Sequence, residues 1–163
     1  GEDAHGKNIA IGYQALKTLN AGADAFNVSV GYSAGENVST GVQNTIIGGQ
    51  AGDALTTGSH NIAMGYGALG TEDTGGRNVA IGKAALFNQN YDGTAYNVAI
   101  GYEAGASITT GTLNVVIGGL AGDALTDGQS NTVVGHGALS AETGGDQNTA
   151  IGIEAFKVSD GGS

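Results

Sequence analysis

The stretch Asn78-Val79-Ala80-Ile81-Gly82-Lys83-Ala84-Ala85-Leu86 decides the fold. Its opening, Asn-x-x-(Ile/Val/Met)-Gly, occurs nine times, starting at Asn8, Asn27, Asn44, Asn61, Asn78, Asn97, Asn114, Asn131 and Asn148. The long step from Asn8 to Asn27 is followed by three equal shorter steps, and the same series restarts at Asn78. The seventh residue after each Asn is Ala, from Ala15 to Ala155. A glycine stands three residues before the Asn in six copies, at Gly41, Gly58, Gly75, Gly111, Gly128 and Gly145. Residues 27–61 match residues 97–131 at 20 of 35 positions, so a four-coil unit reads as duplicated in tandem.

Within each copy the first and third places after Asn share one face of an extended strand, and the second faces the other way. The third place is always bulky, as in Ile11, Met64 and Ile151, and the second is usually small, as in Ala10, Ser29 and Ala80. β-branched residues at period two favour strand. The bounding Gly and Asn are expected to supply the positive-φ corners. A short strand, a corner and a second short strand around the Ala fill one interval. Helix-pair repeats are about twice as long and do not tolerate glycine at this density. The expected fold is all-β: a parallel β-solenoid of about nine coils of 17–19 residues, forming a single repeat domain over residues 1–163. Coils rising about 4.8 Å each give a rod about 40 Å long, with the asparagines stacked as a ladder.

Composition narrows the function. The 163 residues include 32 glycines and no proline, cysteine or tryptophan. Without cysteine there is no disulfide framework or thiolate metal site. Fifteen acidic against five basic residues give a net charge of −10, which argues against nucleic acid as a partner. No apolar run is long enough for a membrane-spanning helix, so no membrane insertion is expected, and the start is unlike a signal peptide. A coil carries only three or four large apolar side chains, for example Ile46, Ile47 and Leu55, against the entropy of ordering its whole length. Extra buried surface is expected from copies of the same chain, with the small second-place residues allowing close approach.

The runs Asn8–Leu16, Asn61–Leu69 and Asn78–Leu86 resemble the repeats of bacteriophage tail-fibre and tail-spike shafts. They are also similar to the head repeats of trimeric autotransporter adhesins, with their Val-Ala-Ile-Gly core. The resemblance covers all nine coils. It implies a homotrimer of left-handed β-rolls that spaces or presents a receptor-binding surface, located on the virion or, in the adhesin version, on the bacterial cell surface. Adhesin heads generally have shorter coils than these, which favours the fibre. Lacking a stalk, anchor or fibre-tip chaperone, the chain reads as one segment of such a fibre. The expected partners are sister chains and a host cell-surface glycan or protein.

Candidate sites are few. The two longer coils place their extra residues within Lys17–Phe26 and Phe87–Tyr96, on one side of the rod. The second combines aromatics with amides, the set that stacks on and bonds to sugar rings, which makes Asn88, Asn90, Tyr91 and Tyr96 the candidate ligand residues. Gly48–Leu55 partly matches a calcium-binding nonapeptide, so Asp53 and its duplicate Asp123 are weak calcium candidates. Stacked nonapeptide turns are absent, and a capping role fits both better. His5, His60 and His136 fall at different repeat phases and form no shared site. Glu72, Asp73 and Glu142 read as solvated corner charge rather than a glycosidase pair. No nucleophile elbow, phosphate loop or zinc helix appears, so neither an enzyme nor a cofactor is expected. Tyr13, Tyr32, Tyr66 and Tyr102 share one phase and are expected to pack in the core or an interface. An ice-binding solenoid is a third reading, but it needs a threonine file on a strand face, which this sequence lacks.

Overall fold

The computed structural model describes residues 6–156. It is a parallel β-solenoid. Its nine strands are β1 (Ile9–Ile11), β2 (Val28–Val30), β3 (Thr45–Ile47), β4 (Ile62–Met64), β5 (Val79–Ile81), β6 (Val98–Ile100), β7 (Val115–Ile117), β8 (Thr132–Val134) and β9 (Thr149–Ile151). They form one sheet in chain order, every neighbour parallel and in register, so that Ala80 pairs with Ala63 on one side and Ala99 on the other. Each motif Asn is therefore one coil from the next. Strand occupies only a short part of each coil. The segment around the motif Ala, expected to be a second strand, is a chain of turns.

The motif glycine makes the first corner. Gly48 has φ +134°, and a Cβ there would lie 2.6 Å from the Gly65 carbonyl oxygen of the next coil. Only glycine permits both the conformation and the stacking distance. The motif Asn itself is not at a positive φ, contrary to expectation. The residue before it is, in all nine coils, including Phe26 (φ 55°), Arg77 (62°) and Tyr96 (54°).

The strands face the opposite way from that expected for close approach of sister chains. The second place is the interior one: Ser29, Ile46, Ala63, Ala80, Ala99, Val116, Val133 and Ala150 are buried. The bulky third places lie outside. Their column, Ile11 to Ile151, runs the length of the rod beside the first-place Ile, Val and Thr side chains. The coil is too narrow to take a large residue at every inward place, and no coil fills its second, eighth and eleventh places all with large apolar side chains. The eighth and eleventh residues after the Asn share that burden. Where the eighth is Gly35, Gly52, Gly105 or Gly122, the eleventh is Val38, Leu55, Ile108 or Leu125, all fully buried. Where the eighth is Leu69 or Leu86, also fully buried, the eleventh is Glu72 or Gln89. A Cβ on Gly52 would sit 2.9 Å from Leu55 Cδ1, so the two phases compete for one volume. The resulting core is one continuous column from Leu16 to Ala150.

Candidate functional site

The asparagines form a ladder. The Asn44 backbone N–H donates to Asn27 Oδ1 at 2.8 Å, and Asn61 N–H to Asn44 Oδ1 at 2.9 Å, and so on to Asn148. Each Nδ2 of Asn27, Asn44, Asn61, Asn97, Asn114 and Asn131 donates to a carbonyl later in the chain, at Gly41, Gly58, Gly75, Gly111, Gly128 and Gly145 respectively. These acceptors are the six glycines that precede a motif Asn by three. Both side-chain ends are thus committed to the scaffold.

The ladder falters at the two long coils. Their extra residues enter at the same phase, between Asn20 and Ala25 and between Asn90 and Ala95. On either side the register is intact: Asn90 N–H donates to Thr109 O and Leu113 N–H to Ala95 O, as Asn20 and Gln43 do in the first four-coil unit. With the glycine displaced, Asn8 Nδ2 turns to Gly6 O, and the buried Asn78 Nδ2 has no hydrogen-bond partner among the described residues. The second insertion covers a polar patch of core. Fully buried Gln89 accepts from Asn97 Nδ2 at 2.7 Å, and its own Nε2 is unpaired among the described residues.

Glu72 is not solvated corner charge. It is fully buried at a phase that holds Leu55 one coil earlier. Its carboxylate accepts the Gly75 N–H at 2.7 Å and, across the coil boundary, the Tyr91 N–H at 3.3 Å. Loss of solvation raises its pKa to about 6, in spite of these bonds, and neighbouring Asp73 adds to the rise. Glu142, at the same phase near the far end, is half-buried. The coil-by-coil alignment held the signal: an acid in a column otherwise mostly aliphatic.

The structure brings Asn90 and Tyr91 together and leaves Asn88 and Tyr96 apart from them. Asn90 and Tyr91 line an open cavity of about 500 Å³ with Asp73, Asp92 and Thr110. Thr74 Oγ1 donates to Asp92 at 2.9 Å at its edge. Tyr96 stands at the corner before its motif Asn, with the Arg77 guanidinium 5.7 Å over its ring. Asn88 is exposed outside the cavity lining.

Asp53 and Asp123 are half-buried, and desolvation is the chief cause raising both pKa values. Asp123 Oδ1 is buried without a partner among the described residues. Among the described residues no three His, Cys, Asp or Glu side chains converge as a metal site. His60 and His136 are exposed at separate phases, and His5 lies outside the described residues. The tyrosine column is outside the core. Tyr13 stacks on Tyr32 with ring centroids 5.6 Å apart, and Lys83 sits 5.2 Å over Tyr102. The threonines do stack, but along the corner after the eleventh place: Thr56, Thr109 and Thr126 hydroxyls donate to the carbonyls of Asp73, Thr126 and Thr143 one coil on.

The outer sheet face runs along all nine strands. Its apolar third places and its first places, apolar except for Thr45, Thr132 and Thr149, are flanked by the tyrosine column on one side and by Lys7, Phe26, Arg77 and Tyr96 on the other. None of the described acids occupies a strand place or either flanking column. No protein-family model, curated protein or solved structure matches this chain.

Proposed function

We propose that the chain is a structural and adhesive segment of a bacteriophage tail fibre, in which sister copies cover one another's sheet faces and the rod presents its outer corners to a host-cell glycan or protein. The observation that carries this is the outward column of third-place residues. Nine bulky apolar side chains form a continuous file, exposed at Ile11, Ile100, Ile117 and Ile151 and partly exposed between them, and a contiguous apolar surface of this kind marks an interaction face. The absence of acids from that face, in a chain of net charge −10, lets like copies approach without repulsion. The resemblance to fibre and adhesin repeats supplies the number three, and the coil lengths favour the fibre. The insertion loops lie at another phase and stay outward in such a bundle. The reading involves no catalytic chemistry and no cofactor.

The test is light scattering at micromolar concentration. Wild type is expected at about three times 15.9 kDa, and the double variant Ile47→Glu, Ile81→Glu at the monomer mass with strand content retained by circular dichroism. A monomeric wild type overturns the reading.

A further inference from the structure

A second depression lies outside the cavity of Asn90 and Tyr91, and its lining departs from the repeat at one phase in two neighbouring coils. It spans three coils and has a volume of about 240 Å³, lined by Gln50, Asp53, Tyr66, Gly67, Gly70 and Phe87. By liquid-water volume that is room for about eight waters. Phe87 is the ninth residue after its Asn. The same phase elsewhere holds Lys17, Glu36, Asp53, Gly70, Ala106, Asp123 and Ser140, none of them aromatic. Gly70, in the adjacent coil, is the one glycine among them. The two are coupled: a Cβ on Gly70 would lie 2.8 Å from Phe87 Cε2, and one on Gly67 3.4 Å. The missing side chains open a dent in the coil surface and seat the ring at its edge.

The walls are matched to a small polar ring with apolar faces. Tyr66 and Phe87 remain 58% and 41% exposed, so their surfaces are available. The Tyr66 hydroxyl is bonded to Gln50 Oε1 at 2.6 Å, which holds both groups in place before any ligand arrives. Asp53 supplies a half-buried carboxylate on the same side as the Gln50 amide. Two aromatic surfaces and two planar polar groups around one concavity are the donor set for C–H packing and paired hydroxyl bonding. The charge excludes anionic ligands, since the wall carries an acid and the chain is net −10.

We infer that the Tyr66–Phe87 depression is a binding subsite for a single neutral hexopyranose ring, with Asp53 and Gln50 bonding adjacent hydroxyls. This deepens the adhesive reading by naming a ligand class, and it does not depend on the number of chains. The second four-coil unit provides an internal comparison: Gln50 and Tyr66 are replaced by Leu120 and His136, so that half lacks the donor set.

The experiment is saturation-transfer NMR and calorimetric titration of the intact chain with methyl glycosides of neutral hexoses, and with a methyl sialoside as the anionic comparison. At least one neutral glycoside is expected to bind in the millimolar range. Phe87→Ala and Gln50→Leu are each expected to weaken it about tenfold, or about 1.4 kcal/mol. Gln50→Leu installs the residue that the fold already accepts at Leu120, which bears the same left-handed φ. Failure of every neutral glycoside at tens of millimolar, equal binding by Gln50→Leu, or preference for the sialoside overturns the subsite. Light scattering on the same samples reads the assembly separately, so loss of the sugar site and loss of the fibre reading are told apart.

Discussion

The Glu72 carboxylate accepts the Tyr91 backbone N–H at 3.3 Å, tying a short coil to the insertion of the long coil beside it. Because burial raises its pKa from 4.5 to about 6, the folded chain holds this proton more tightly than the unfolded chain. The stability this contributes is complete below pH 4.5 and is lost as pH rises through about 6, a difference of about 2 kcal/mol. Asp53 and Asp123, also raised, act in the same direction. Thermal unfolding at pH 5 and pH 8 is expected to show wild type the more stable at pH 5. Glu72→Gln should gain at pH 8 and narrow the gap between the two. An unchanged gap in the variant would place the pH dependence elsewhere.

The ladder predicts unequal costs for the same substitution. Asn61→Ala removes the acceptor of Asn78 N–H at 3.0 Å and the donor to Gly75 O at 2.9 Å, leaving two buried groups unpaired. That is expected to cost about 2–4 kcal/mol. Asn78→Ala loses one longer bond, to Asn97 N–H at 3.2 Å, and also removes a donor that has no partner. About 1 kcal/mol is expected there. Denaturant midpoints of the two variants compare them directly, and equal losses would contradict the ladder as described.

Two glycines with different surroundings offer a second contrast. At Gly65 the backbone has φ +128°, and a Cβ would meet the Gly82 carbonyl oxygen at 2.5 Å. At Gly49 the nearest atom is on the Tyr66 ring at 3.5 Å, an ordinary contact. Gly65→Ala is expected to lose on the order of 3–5 kcal/mol, Gly49→Ala within about 0.5 kcal/mol. Melting temperatures decide it.

The shared core volume predicts a rescue. Gly52→Leu alone forces a side chain against Leu55 and Ile46 and is expected to cost about 1–3 kcal/mol. Adding Ile46→Ala recreates the set Ala10, Leu16, Leu19 of the first coil and is expected to recover most of that loss. A double-mutant cycle measures the coupling, and additive losses would refute a common volume.

The period, the parallel stacking and the ladder were legible because identical side chains at fixed spacing have one economical arrangement. The direction of the strand faces was not. Bulk ordinarily marks the inside, yet here Ala80 is interior and Ile81 exterior, because a coil this thin draws its core volume from Leu86 across the turn. Glu72 escapes a linear reading for the same reason. Judged by its neighbours it is a corner acid; aligned with Leu55 and Leu125 it occupies a core phase. The pairing of Asn90 with Tyr91, and the separation of Tyr96, depend on where two extra residues bulge, and that is set by backbone bonds from neighbouring coils. The Tyr66–Phe87 depression joins residues more than a coil apart and becomes visible only once three coils are stacked.

The left-handed conformation before every motif Asn bears on how such a rod comes to exist. Lysine, phenylalanine, arginine and tyrosine do not adopt a positive φ by preference, and each coil repeats the departure, as at Lys7, Phe26, Arg77 and Tyr96. A lone coil therefore has no shape of its own to fall into. Its contour is copied from a finished neighbour whose carbonyls and asparagine oxygen are already in place, so growth proceeds like a zipper from a costly first pair of turns, and each completed turn is the mould for the next.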